Sequence, residues 1–141
     1  MDELMRGRVV VAGEATGEVL LSSQPLSFWG GYDHRTGEII DRRHPLSGQI
    51  AAGRILALPN TVGSSTTTAV LLEAVRAGTA PAAILTRDVD AFLALASVVS
   101  QEMYASSIPI VALTDEQFAA LRSVMRLHVR SDGSIAKHVL P

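Results

Sequence analysis

Residues 54–84 carry the pattern that most limits what this chain can fold into. The apolar run Ile55, Leu56, Ala57 and Leu58 stops at Pro59 and Asn60 and gives way to a small polar segment, 61–66. Helical periodicity then continues to Gly78, and after Pro81 a second apolar run, Ala82, Ala83, Ile84 and Leu85, begins a buried strand. The order is strand, loop, helix, strand. Val70, Leu71, Ala74 and Val75 share the covered side of the helix, Glu73 and Arg76 lie on a polar stripe, and Gly78 is a natural residue just past the C-terminus.

The loop has a chemistry of its own. Ser64, Ser65 and Thr66 are all residue types that cap helix N-termini, accepting a hydrogen bond from a first-turn N–H. The N–H groups left over, with the positive end of the helix dipole, welcome an anion. Gly63 permits close backbone approach or a positive φ. A hydroxyl held there can bind a carboxylate or phosphate, or have its own alkoxide stabilised. The same residues can also do no more than cap a helix.

Around this unit the chain reads as a succession of short elements. Residues 8–13 form a β-branched strand, 14–17 a turn and 18–21 a second strand, together an opening hairpin. Residues 22–53 are irregular, punctuated by Pro25, Gly30, Gly31, Gly37 and Pro45, with a short strand at 38–40. Phe28 and Trp29 in this excursion either plug one end of a barrel or meet a ligand. His34 and His44 lack zinc-site spacing and read as turn or cap residues, and Arg42 and Arg43 as a solvated pair.

Asp88 or Asp90 caps a helix running to Tyr104, with Phe92, Leu95, Ala96 and Val99 at core spacing. A strand at 108–113 leads into Thr114 and Gln117, a capping-box pair that starts a short helix ending near Leu121. A half-exposed strand at 125–130, a turn at 131–134 and a closing hairpin strand at 135–140 complete the chain. No repeat or linker divides it, so residues 1–141 read as one domain of compact α/β or α+β architecture.

Composition narrows the function classes. Apolar residues make up 48% and charged residues 18% of the chain, as in a well-buried globule. A net charge of -2 gives no electrostatic basis for nucleic-acid binding, and no apolar run approaches the roughly 20 residues needed to span a membrane. Without cysteine the chain holds no disulfide, no thiolate and no cysteine-bound cluster. The opening residues 1–6 lack the features of a secretory signal, so a cytoplasmic location is expected.

Three segments together, 25–31, 41–48 and the strand-loop-helix unit through Ile84, closely resemble the swivel domain, or small subunit, of the aconitase X family. The resemblance runs from about Gly7 to Val129. It implies a swivelling β/β/α domain that closes over a large catalytic subunit, and an iron or iron–sulfur centre on that subunit, with no cofactor held by this chain. It also implies a hydro-lyase: a base takes the proton α to a carboxylate while the hydroxyl leaves. The family serine taken to be that base matches Ser64, with Gly63, Ser65 and Thr66 as the substrate-binding residues around it. The family loop commonly reads Gly-Arg-Gly-Ser, whereas Thr61, Val62, Gly63 and Ser64 stand here, so the loop arginine is replaced by Val62.

Two substrates fit the resemblance, cis-3-hydroxy-L-proline in bacterial-type members and mevalonate 5-phosphate in archaeal-type members, and the strand and loop look more like the first. No residue beside Ser64 is an obvious activator of its hydroxyl, as expected of half a site, although an activator distant in sequence would serve equally. The alternatives are a non-catalytic anion-binding module, which the missing arginine favours, and a scaffold that only stabilises a large partner.

Overall fold

The structure is a computed structural model that describes residues 3–63, 65–123 and 125–138. Its elements are β1 (Glu3–Arg6), β2 (Arg8–Val11), β3 (Ala15–Leu21), β4 (Leu26–Ser27), β5 (Ile55–Leu58) and β6 (Thr61–Val62), then α1 (Ser65–Ala77), β7 (Ala83–Thr86), α2 (Ala91–Tyr104), β8 (Ile110–Ala112), α3 (Asp115–Ala119), β9 (Arg126–Val129) and β10 (Ser134–Lys137). Eight strands form one sheet in the order β1-β10-β9-β3-β5-β7-β8-β2, and β4 and β6 make a separate pair.

Four of these strands are parallel. Val19 of β3 lies opposite Ile55 of β5, Leu56 opposite Ile84 of β7, and Leu85 opposite Val111 of β8. Each step from β5 to β7 and from β7 to β8 moves the same way across the sheet, so right-handed crossovers place α1 and α2 on one face. Every residue of β5 and β7 is buried, as parallel strands covered on both sides must be. Leu56, Leu58, Ile84 and Ile110 point into a core shared with Leu71, Ala74 and Leu93 of the helices. Ile55, Ala57, Leu85 and Val111 point the opposite way, into a second core with Leu127, Val129, Ile135 and Phe118.

That second core is enclosed because the sheet curls round on itself. The outermost strands in its order, β1 and β2, are consecutive in the chain and separated only by Gly7. β1 pairs with β10, β2 pairs with β8, and each ladder carries an irregularity that bends it. Gly7 donates its N–H to the carbonyl of Gly133 at 3.0 Å. A Cβ on Gly7 would stand 2.9 Å from the Ala112 carbonyl and 2.8 Å from Leu113 Cδ2; one on Gly133, at φ +87°, would stand 2.6 Å from the Gly7 carbonyl. Two bare backbones therefore meet where the barrel closes.

The structure corrects several expectations. There is no opening hairpin: β2 pairs with β8, while β3 begins at Ala15, inside the expected turn, and runs from β9 onto β5. Residues 38–40 form only isolated bridges, Tyr32 with Ile39 and Glu38 with Ile50. Phe28 is buried beneath the helices, stacked on Tyr32 at 5.1 Å, whereas Trp29 is 68% exposed and plugs nothing. His44 sits in a turn, Nε2 donating to the Pro25 carbonyl at 3.0 Å and Nδ1 accepting from the Leu46 N–H at 3.1 Å. The hairpin of β9 and β10 is present, though residues 139 and 140, expected in it, lie outside the described residues.

The largest correction concerns α2. Its buried residues are Leu93, Ala96, Ser97 and Ser100, and Phe92 and Leu95 face outward. Apart from Leu93 the inward face is built from small side chains, which let the helix sit close to its neighbours. Ser97 Oγ donates to the Ile108 carbonyl at 2.7 Å and Ser100 Oγ to the Ser106 carbonyl at 2.7 Å.

Replacing Gly7 by alanine should lower the free energy of unfolding by about 1–3 kcal/mol, since the added methyl runs into the buried side chains of Val111 and Leu113 and the Ala112 carbonyl at once; the urea midpoint measures it. Burial holds the Tyr32 phenol, which donates to the Thr79 carbonyl at 2.7 Å, above its ordinary pKa. Its contribution to stability is full below about pH 10 and falls as pH rises past that value, because only the unfolded phenol then ionises. Denaturation curves taken at rising pH should show that fall, and Tyr32→Phe should flatten it.

Candidate functional site

The carboxyl ends of the parallel strands form one rim, the end at which ligands bind in open α/β sheets. From β5 the chain passes through Pro59 and Asn60 into β6 and reaches α1 at Ser65. Three neighbours hold this passage. The Arg87 N–H donates to the Pro59 carbonyl at 3.2 Å, the Leu26 N–H reaches the Asn60 carbonyl at 3.4 Å, and β6 pairs in parallel with β4.

The strongest tether is Asp90, buried at the N-terminus of α2. Its Oδ2 accepts from the Thr61 N–H at 2.8 Å and from Thr61 Oγ1 at 2.6 Å, while Oδ1 accepts from the N–H groups of Phe92 and Leu93 at 3.1 and 3.2 Å. One carboxylate thus caps α2 and pins the site loop with four hydrogen bonds. Sequence spacing offered Asp90 as a cap, but its second role depends on a residue 29 positions away.

Beyond Thr61 the loop is presented to solvent. Val62, Gly63 and Thr66 are exposed, and Gly63 takes φ +105°, a conformation that costs glycine little. A Cβ added there would lie 3.3 Å from Thr66 Oγ1 and 3.9 Å from Thr67 Oγ1. The candidate residues Gly63 and Thr66 therefore do come together at the start of α1. Ser64 lies outside the described residues, as does the Ser65 side chain; the backbone of Ser65 begins α1. The first turn of α1 carries no acidic side chain, so nothing of its own offsets the positive end of its dipole.

Cationic and apolar groups border the loop. Arg87, next to the Pro59 carbonyl, holds Asp115 at 3.7 Å and lines a cavity of about 350 Å³ with Pro59, Asn60 and Asp88. On the side of β4 stands exposed Trp29. On the side of α2, Phe92, Leu95 and Val98 form an outward apolar stripe, Leu95 and Val98 being 51% and 53% exposed. Thr68 Oγ1 reaches the Phe92 carbonyl at 3.4 Å, so the stripe starts beside the loop.

Among the described residues there is no group of three or more His, Asp or Glu that could hold a metal ion, and the sequence has no cysteine. An iron or iron–sulfur centre therefore finds no fitting ligand set in them. Nor is any described helix long and apolar enough to cross a membrane.

Asp90→Ala should cost about 2–4 kcal/mol, from the lost cap and the unpaired Thr61 donors. Hydrogen exchange should show the Thr61 amide losing protection; an unchanged Thr61 amide would mean that the loop is held by other contacts.

Comparison with known proteins agrees with this geometry. The family profile described as the aconitase X swivel domain matches residues 4–137. The chain is 47% identical over 93% of its length to the cis-3-hydroxy-L-proline dehydratase of Pseudomonas aeruginosa, of which it covers 22%. It is 32% identical over 94% of its length to the phosphomevalonate dehydratase small subunit of Thermococcus onnurineus, covering 96% of that protein. The crystal structure of Thermococcus kodakaraensis aconitase X in its holo-form superposes with a TM-score of 0.84 at 32% identity, with 95% of this chain and 97% of that one covered. The chain thus spans about a fifth of the hydroxyproline dehydratase and nearly all of the small subunit. It belongs to the aconitase X swivel-domain family.

Proposed function

We propose that this chain is the small subunit of a heteromeric hydro-lyase and supplies Ser64 as the base that dehydrates a small hydroxy acid. The observation that carries this reading is the loop that ends at Gly63, just before α1. It is a loop fixed by Asp90 and by the β4–β6 pair, set at the carboxyl ends of four parallel strands and opening a helix with no acidic residue in its first turn.

In the step assigned to it, the C–H bond α to the substrate carboxylate breaks and its proton passes to Ser64. The electron pair becomes the new C=C bond as the neighbouring C–O bond breaks, and the hydroxyl, gaining a proton, departs as water. A serine alkoxide is costly at neutral pH, and the N–H groups and dipole at the head of α1 reduce that cost.

The substrate we favour is cis-3-hydroxy-L-proline, in keeping with the 47% identity to the Pseudomonas aeruginosa enzyme. Mevalonate 5-phosphate is the alternative, supported by the likeness to the Thermococcus onnurineus small subunit. Val62, where the family loop commonly has arginine, leaves this loop without a charged side chain for a phosphate.

We assign the iron or iron–sulfur centre to a large partner. The stripe of Phe92, Leu95 and Val98, with Trp29 across the loop, supports such a partner, since apolar side chains grouped on a helix face gain by being covered. A surface resting on them would also close over Gly63.

The test is turnover by this chain combined with its large subunit, each substrate offered separately. Ser64→Ala should leave assembly intact and lower turnover by about 10²–10⁴-fold. Near-normal turnover would reduce Ser64 to a cap, and no reaction of the wild type with either substrate would leave an anion-binding module or a scaffold. In the same preparation Leu95→Lys should weaken assembly by about tenfold or more, as loss of a buried interface anchor does; undiminished assembly would place the partner on another face.

A further inference from the structure

The first turn of α1 contains a hydroxyl that no described residue uses. Thr67 is completely buried, and its Oγ1 has no hydrogen-bond partner among the described residues. Other buried hydroxyls nearby are engaged: Thr61 with Asp90, Ser97 with Ile108, Ser100 with Ser97 and Ser106. A buried hydroxyl left unpaired costs about 1–3 kcal/mol, and a helical threonine can ordinarily avoid this by bonding a carbonyl of the preceding turn. Thr67 does neither among the described residues.

Its direction suggests what it is kept for. The Oγ1 atoms of Thr66 and Thr67 both border the space that a Gly63 side chain would fill, at 3.3 and 3.9 Å from the position of its Cβ. Glycine at φ +105° leaves that space without a side chain, beside the positive end of a helix thirteen residues long. A donor hydroxyl and the positive end of a helix dipole converge there, which is chemistry that binds an oxyanion.

We propose that Thr67 Oγ1 is a substrate ligand: it donates to the carboxylate of the hydroxy acid, which enters the Gly63 gap and supplies the partner this hydroxyl lacks. The inference rests on the hydro-lyase reading for the identity of the anion. The hydroxyl is sealed from water in the present loop, so the carboxylate is admitted by a movement of the Gly63 peptide, and binding couples to the loop.

The full-length chain is titrated separately with acetate and with inorganic phosphate, following the amides of Gly63, Thr66 and Thr67 by NMR, for wild type, Thr67→Val and Thr67→Ser. Thermal melting is recorded for each. Acetate should move these amides saturably in the wild type, and the isosteric valine should weaken acetate at least about fivefold while melting at or above the wild-type temperature, because an unpaired buried hydroxyl has become a methyl. Serine should restore binding. Acetate affinity unchanged in Thr67→Val overturns the proposal, and so does a lowered melting temperature in that variant, which would show that the hydroxyl already has a structural partner. Saturation by phosphate without acetate overturns the carboxylate assignment. If the acetate result holds while the assembly dehydrates neither substrate, the carboxylate site stands and the hydro-lyase reading falls; the converse removes the site alone.

Discussion

The buried carboxylate of Asp90 is the interaction on which the site depends. Four donors converge on it, two from Thr61 and two from the first turn of α2, so the loop before α1 and the start of α2 share one electrostatic anchor. A carboxylate out of water is tolerable only when its lone pairs are filled, and here they are filled by backbone and hydroxyl donors rather than by a cation. The arrangement gives Gly63 a fixed point from which to turn.

The sheet supplies the remaining order. Strands buried on both faces carry two separate cores, one under α1 and α2 and one inside the curled barrel, and both end at the rim that holds the loop. The price of packing α2 tightly with alanine and serine is that most of its large apolar residues, Phe92, Leu95 and Val98 among them, look outward, Leu93 being the one set fully in the core. A single arrangement thus both positions the loop and leaves an uncovered surface beside it, which is what half of a shared active site requires.

Much of this was legible from the residues. The runs 55–58 and 82–85 announced strands by their length and lack of polar interruption, and Gly78 marked the end of α1 by taking φ +76°. The capping box of Thr114 and Gln117 was readable because both bonds span three residues. What failed was non-local. Residues 14–17 have turn-like composition, yet pairing with β9 draws 15–17 into the start of β3, whose later residues pair with β5. The α2 pattern named Phe92 and Leu95 as core because periodicity weighs size, whereas here close approach by Ala96, Ser97 and Ser100 decided the face. Gly63 and Thr66 were named as candidates from backbone freedom and capping chemistry, but Thr67 was not, since its lack of a partner among the described residues is a property of packing alone.

The central claim is that Ser64 removes the proton α to the substrate carboxylate, and the most direct measurement is the release of deuterium to water from α-deuterated substrate by the complete assembly. With Ser64→Ala the release should fall by about 10²–10⁴-fold, while substrate affinity, held by the Gly63 loop and Thr67, stays within a few-fold. Release at the wild-type rate from that variant would contradict the account and move the base to the partner.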